Sequence, residues 1–186
     1  MPSINVNFLQ LLNDNYRKYP VFIETGTYIG ETTFAMEPLF NQVYTFEIKE
    51  EFYRNVLRNY NGNKIHFILG DSSKKFIEVL PTITSPAIFF LDGHWSAGNT
   101  GRGDKDCPLY EELSSINTLF VNEAIIIIDD MRLCGMGPRK GNEVCDWESV
   151  NIDSLKKVVI ERTTDSYLLP SSHAPNDRLI IHLRKL

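Results

Sequence analysis

Several things are scarce in this 186-residue sequence, and each scarcity removes a class of protein. Cysteine occurs three times, at Cys107, Cys134 and Cys145, an odd number without a C-x-x-C pair, so free thiols are expected rather than a disulfide scaffold or a zinc knot. No uncharged apolar run is longer than that of Ala124 to Ile128, far below the ~20 residues of a membrane span. The start, Met-Pro-Ser-Ile-Asn-Val-Asn, has neither the basic head nor the apolar core of a signal peptide, and a cytoplasmic protein is expected. Basic runs are missing, and Lys plus Arg number 19 against 24 Asp plus Glu; a nucleic acid backbone is a poor partner for such a chain and a small molecule a better one. Internal repeats and low-complexity tracts are also absent, which leaves a single domain over 1–186. Oligomeric state is left open, with a homo-oligomer allowed.

What is present is a regular beat of short apolar runs and helix-period segments, the pattern of a parallel sheet covered on both faces. Strands are expected at Val21–Glu24, Val43–Glu47, Ile65–Leu69, Ala87–Asp92 and Ala124–Asp129, the last without polar alternation and therefore central. Helices are expected over roughly 31–40, 50–60, 73–80 and 109–121, with a further one after Asp153, and 5–19 reads as a helix on the sheet's flank. Ser166–Leu169 and Leu179–Leu183 read as two closing strands joined by a turn-rich loop.

Ligands of open α/β sheets bind at the carboxyl ends of the strands, and here those ends are acidic: Glu24, Glu47, Gly70-Asp71-Ser72, Asp92 and Asp129-Asp130. Acids at five strand ends in turn point to one shared crevice. The first is followed by Glu24-Thr-Gly-Thr-Tyr-Ile-Gly-Glu-Thr-Thr33, a turn through Gly26 and Gly30 into a helix, whose backbone N–H groups beside a carboxylate suit a zwitterion. A nicotinamide dinucleotide is the rival ligand, because Glu47 lies 21 residues beyond Gly26. Tyr28 stands where its fingerprint needs the second glycine, and Glu24 would repel a pyrophosphate. A purely structural strand-to-helix turn is the third possibility.

The order Glu-x-Gly-x-x-x-Gly, Glu47 at the second strand's end and Gly70-Asp71 after the third resembles the class I S-adenosylmethionine-dependent methyltransferases. That resemblance implies a Rossmann-like, doubly wound α/β fold: a mostly parallel seven-stranded sheet with an antiparallel last strand and helices on both faces. It also implies that Glu24, Gly26, Tyr28 and Gly30 hold the methionine part of S-adenosylmethionine, that Glu47 takes the ribose hydroxyls, and that Asp71 and Ser72 meet the adenine. Phe89-Phe-Leu-Asp-Gly-His-Trp95 with Ile128-Asp129-Asp130 is similar to the strand ends of catechol-type and macrocin-type O-methyltransferases. By that likeness Asp92, Asp129 and Asp130 are candidate ligands of a divalent metal such as Mg²⁺, which would also relieve the mutual repulsion of three carboxylates. Metal-free roles stay open, with Asp92 contacting the acceptor and Asp130 capping a turn.

His94 is the histidine best placed for acid–base work, with Asp92, or else a structural residue. The Gly-rich insertion 95–108 reads as a lid or a plain solvent loop, in which Arg102 and Lys105 would meet the acceptor. The loop Met131–Trp147 reads as a wall of the acceptor pocket, which His173 could also reach. The resemblance implies O-methylation of a small hydroxylated acceptor such as a sugar, a phenol or a natural product, assisted by a divalent metal; metal-independent N- or C-methylation and a binding module without transfer are the alternatives.

Overall fold

A computed structural model describes residues 3–141 and 143–186. Seven strands form one sheet in the order β3-β2-β1-β4-β5-β7-β6. They are β1 Val21–Thr25, β2 Gln42–Glu47, β3 Ile65–Leu69, β4 Ala87–Leu91, β5 Ala124–Ile128, β6 Thr163–Leu169 and β7 Arg178–Leu183. The first five pair in parallel, and β7 runs antiparallel to β5 and β6. The strand expectations hold to within three residues at each end, and the fold is the doubly wound, Rossmann-like one.

Alternation along the strands supplies both cores. Ala124, Ile126 and Ile128 face the layer built by α4 (Ser72–Val79), α5 (Leu109–Leu119) and α6 (Ile152–Val158), where Phe76, Leu113, Ile116, Phe120 and Leu155 are buried. Ile125 and Ile127 face the other layer, with Phe8 and Leu9 of α1 (Val6–Leu9) and Met36 of α2 (Glu31–Met36). The remaining helix, α3, spans Glu50–Arg58. Arg162, 2% exposed, closes the far end of the first layer by donating to the carbonyls of Ile116 and Asn117 in the last turn of α5 and to those of Asn122 and Arg184.

Two helices differ from expectation. The segment 5–19 is one short turn, capped by Asn5 on the amides of Asn7 and Phe8, followed by turns through Asn13-Asp14-Asn15 and a 3₁₀ turn at Tyr16–Lys18. Side chains that compete for backbone amides break the helix there; Asn15 accepts from Arg17 N. The 31–40 helix ends at Met36 and tightens into a 3₁₀ turn at Glu37–Leu39, where Pro38 lacks the N–H that would continue it.

Sequence order reverses beside β1, which has β2 on one side and β4 on the other. A crevice opens there at the carboxyl ends, the usual ligand position in such sheets. Ladder-like bonds continue past the strands, from Asp92 N to Thr25 O, Gly70 N to Glu47 O and Asp129 N to Leu91 O, and pin the acidic ends in place.

A candidate active site at the carboxyl ends of the strands

Glu24, next to last in β1, has 2% of its surface exposed and accepts from the hydroxyls of Thr33 and, at 2.8 Å, Thr45. Burial pushes its carboxyl up to about 8 against those two hydrogen bonds, with Asp92 and Glu47 adding to the rise. Gly26 takes φ +85°, and a Cβ on it would lie 2.3 Å from the Asp92 carbonyl oxygen, so glycine here is demanded by close approach as well as by conformation. Gly30, at φ +81°, begins α2, and Tyr28, at φ +49°, lays its ring edge-on to Phe52 with centroids 4.7 Å apart.

The loop's amides are more committed than the sequence suggests. Gly26 N and Thr27 N donate to Phe46 O, Gly30 N donates to Thr27 O, and Tyr28 N donates to Glu47 Oε2 at 2.7 Å. The loop therefore offers shape and carboxylates more than free donors. Lys49 N holds the other Glu47 oxygen at 2.8 Å, so the buried Glu47 side chain is fixed while keeping lone pairs for further donors. Burial raises its carboxyl despite those amides.

Asp71 caps α4, its Oδ1 accepting from Ser73 N at 3.0 Å and Ser73 Oγ at 2.6 Å. Beside it, Ser72 donates to Glu112 Oε1 at 2.5 Å. Asp71, Ser72 and Gly70 border a recess of about 30 Å³ that the 95–108 loop has closed: a Cβ at Gly101 would meet Ile48 at 2.2 Å and one at Gly103 would meet Asp71 at 3.0 Å. Next to it lies a cavity of about 280 Å³ lined by Ser3, Glu24, Glu47, Ile48, Asp92 and His94 among others.

The third group of acids meets its own cations. His94 Nε2 lies 2.9 Å from Asp130 Oδ2, and its Nδ1 faces Asp92 Oδ1 at 3.8 Å. Asp129 is paired with buried Arg178, Nε to Oδ1 at 3.1 Å, and Asp130 contacts Arg132, which also reaches Asp177 at 2.5 Å. Burial alone would depress the His94 imidazolium, but Asp130 and Asp92 outweigh it and hold it above its ordinary value. Asp92 is raised by burial and by the nearby charges of Asp129 and Asp130, against the pull of His94. Asp130 goes the other way: His94 and Arg132 overcome its burial and hold it at about 2. Trp147 packs behind His94, rings edge-on at 4.9 Å.

Among the described residues, donor atoms close enough for one ion form two sets, Asp92-His94-Asp130 and Asp129-Asp130-Asp177. Asp92 and Asp129 do not fall in the same set. The repulsion that called for a metal is met by Arg178, Arg132 and His94, none of which the strand-end pattern revealed as counter-charges. Arg102 and Lys105, expected toward the acceptor, are spent within their own surroundings: Arg102 pairs with Asp106 at 2.6 Å and stacks on Trp95, and Lys105 pairs with Glu111. His66 stacks on Tyr44, His182 contacts Tyr167 Oη at 3.1 Å, and His173 is exposed in its hairpin loop.

No protein-family model matches the chain, and no curated protein does. Solved structures match it along most of its length. An rRNA methylase from Streptococcus thermophilus shares 18% identity at TM-score 0.51, over 91% of this chain and 88% of that one. The O-methyltransferase TomG from Streptomyces achromogenes, involved in tomaymycin synthesis and solved with S-adenosylmethionine, shares 14% at TM-score 0.63, over 91% and 75%. The N-methyltransferase NodS from Bradyrhizobium japonicum WM9 shares 10% at TM-score 0.56, over 89% and 85%. Likeness at these identities is one of fold, and the fold is that of class I S-adenosylmethionine-dependent methyltransferases. Oxygen, nitrogen and RNA all figure in those names, so this fold is not tied to one acceptor.

Proposed function

We propose that this chain transfers a methyl group from S-adenosylmethionine to a hydroxyl of a small acceptor. One observation carries the reading: a single cavity is lined by Glu24 and Glu47 together with the Asp92–His94 pair. The donor set fits the ligand. An ammonium beside Glu24 would offset the burial that now raises its carboxyl, the fixed Glu47 oxygens suit two ribose hydroxyls, and Asp71 with Ser72 lines a recess for the base.

When bound, S-adenosylmethionine supplies an electrophilic methyl on sulfur. The chain's own residues hold the acceptor and take its proton. Asp92 is the proton acceptor in this scheme: its Oδ2 already faces a hydroxyl, that of Ser3 at 3.4 Å, and its raised carboxyl is a stronger base than an ordinary one. S-adenosylmethionine would supply the methyl and leave as the neutral thioether, and Asp92 would take the proton that the acceptor hydroxyl gives up. His94, held by Asp130 at 2.9 Å, stands with its Nδ1 3.8 Å from Asp92 Oδ1, beside the charge that Asp92 carries. The rest of the rate comes from holding the oxygen in line.

A metal-assisted form is the second reading, favoured by the convergence of Asp92, His94 and Asp130 donor atoms within 4.8 Å of one another. Those three residues would hold a divalent ion, Mg²⁺ or a softer metal that accepts imidazole, which would supply Lewis-acid polarisation of the hydroxyl.

Transfer of label from methyl-tritiated S-adenosylmethionine to a panel of sugars, phenols and amines, with and without chelator, tests the reading. Label on a hydroxyl acceptor that survives chelator supports the first form, and loss with chelator supports the second. Asp92→Asn should lower turnover by about 100-fold or more while S-adenosylhomocysteine still binds. Full turnover in that variant would refute the mechanism.

A further inference from the structure

We propose that Ser3 is a specificity-determining residue of the acceptor end: its hydroxyl holds, on Asp92 Oδ2, the place that the acceptor hydroxyl takes, and the clamped backbone beneath it sets how much room that hydroxyl finds. This rests on the methyltransferase reading and adds to it the N-terminal segment as the wall that an acceptor has to fit.

Ser3 lies 89 residues before Asp92 and meets it because the N-terminal segment passes over the cavity. Its backbone is held on both sides: Ser3 N donates to Thr32 Oγ1 at 3.0 Å, and Ser3 O accepts from Arg178 Nη2 at 2.7 Å. The next residue, Ile4, is 1% exposed and packs into the layer that holds Phe8 and Leu9. Arg178 is buried in turn, paired with Asp129 and placed over the Phe8 ring at 4.7 Å. Neither Asp129 nor Arg178 lines the cavity, so that pair acts on it through Ser3. None of these clamps uses the Ser3 side chain, which is exposed and borders the cavity. The fold therefore does not depend on that hydroxyl. Its partner is Asp92: Ser3 Oγ donates to Oδ2 at 3.4 Å, and among the described residues no other hydrogen bond reaches that carboxylate. At this length the bond is weak, and with the backbone fixed a rotation about Cα–Cβ releases Oδ2 to a hydroxyl that can approach to about 2.7 Å. One hydroxyl replaces another, so the exchange leaves no acceptor unmet. A side chain at position 3 that cannot turn aside closes the same place by clash.

The test is calorimetric titration of benzyl alcohol and phenol, each beside its methyl ether, into the full chain loaded with S-adenosylhomocysteine and into loaded Ser3→Ala and Ser3→Val. An ether has no proton to give Asp92, so the preference for alcohol over ether reports contact at Oδ2, which a merely structural role of Ser3 would not move. Ser3→Ala removes the internal competitor and is expected to bind the alcohols about threefold tighter and to widen that preference. Ser3→Val, whose methyls fill two of the three staggered positions, is expected to weaken the alcohols by about 10-fold and to abolish it. Both variants should hold S-adenosylhomocysteine within about twofold of the parent, since neither alters a carboxylate of the cofactor end. Ser3→Ala that binds the alcohols no tighter, Ser3→Val that keeps the parent's preference, or a change in S-adenosylhomocysteine affinity as large as that for the alcohols would overturn the proposal. Alcohols that bind neither the parent nor Ser3→Ala at millimolar concentration would also overturn it, and the methyltransferase reading would stand as long as S-adenosylhomocysteine binds. A chain that does not bind S-adenosylhomocysteine removes that reading and this proposal together.

Discussion

Single residues here are defined by the charge they face. Asp129 and Arg178 form a buried pair, and Arg178 also donates to Ser3 O and lies over the Phe8 ring, so one guanidinium neutralises an acid and seats the N-terminal segment. Asp92, Asp129 and Asp130 stood out in sequence because acids closed successive strands. Arg178 and Arg132 did not, since one opens β7 and the other lies in a loop, and only the antiparallel return of β7 along β5 brings Arg178 to Asp129. Glu112 was equally hidden: an acid in the first turn of a helix reads as ordinary surface chemistry complementing the helix dipole. Its burial gives a pH signature. The unfolded carboxyl titrates near 4.5 and the folded one at about 7, so between these values the unfolded chain has lost a proton that the fold still holds. Stability attributable to this group is fully present below 4.5, drains as pH rises toward 7 and is flat above, a loss of about 3 kcal/mol. Urea unfolding at pH 5 and pH 8 should show Glu112→Gln gaining on the parent at the higher pH by about that amount. A stability difference that does not change with pH would contradict the assignment.

Among elements, the 95–108 insertion carries the most functional weight. It is tied down from outside by Lys49, which contacts both the carbonyl and side-chain oxygens of Asn99, and by Lys74, 2.7 Å from Asp104. Two of its three glycines, Gly101 and Gly103, lie close against Ile48 and Asp71, where the resemblance puts the base, so a base enters only if this loop lifts. The sequence marked the loop as a lid candidate through its glycines but not what it covers, because that depends on where Lys49 and Lys74 meet it. Both ties are exposed and individually weak, about 0.5 kcal/mol each. Lys49→Ala combined with Asp104→Ala, which removes both ties, should therefore speed S-adenosylhomocysteine release by about 5-fold in stopped-flow competition while thermal unfolding stays unchanged. Release at the parent rate would show that the loop does not gate the site. Strand identities were readable throughout, since runs such as Ala124–Ile128 admit no other use; the first segment was misread because its apolar spacing is helical while Asn13-Asp14-Asn15 turns the chain.

For the molecule as a whole, the central fact is where the sheet changes direction. The step from β1 to β4 puts a glycine turn, a fixed Glu47 and the Asp92–His94 pair around one cavity, and both helical layers serve to hold those strand ends in register. No helix among the described residues is long and apolar enough to cross a membrane. The cavity wall comes from Ser3 and the 95–108 loop, while the 131–147 loop contributes Trp147 behind His94, so acceptor choice is expected to follow the first two. The most direct measurement is calorimetric titration of S-adenosylmethionine and S-adenosylhomocysteine into the purified chain, with NADH as the control. One-to-one binding of both sulfur ligands and none of NADH is the predicted result; no binding of either sulfur ligand, with or without Mg²⁺, would contradict the account at its root.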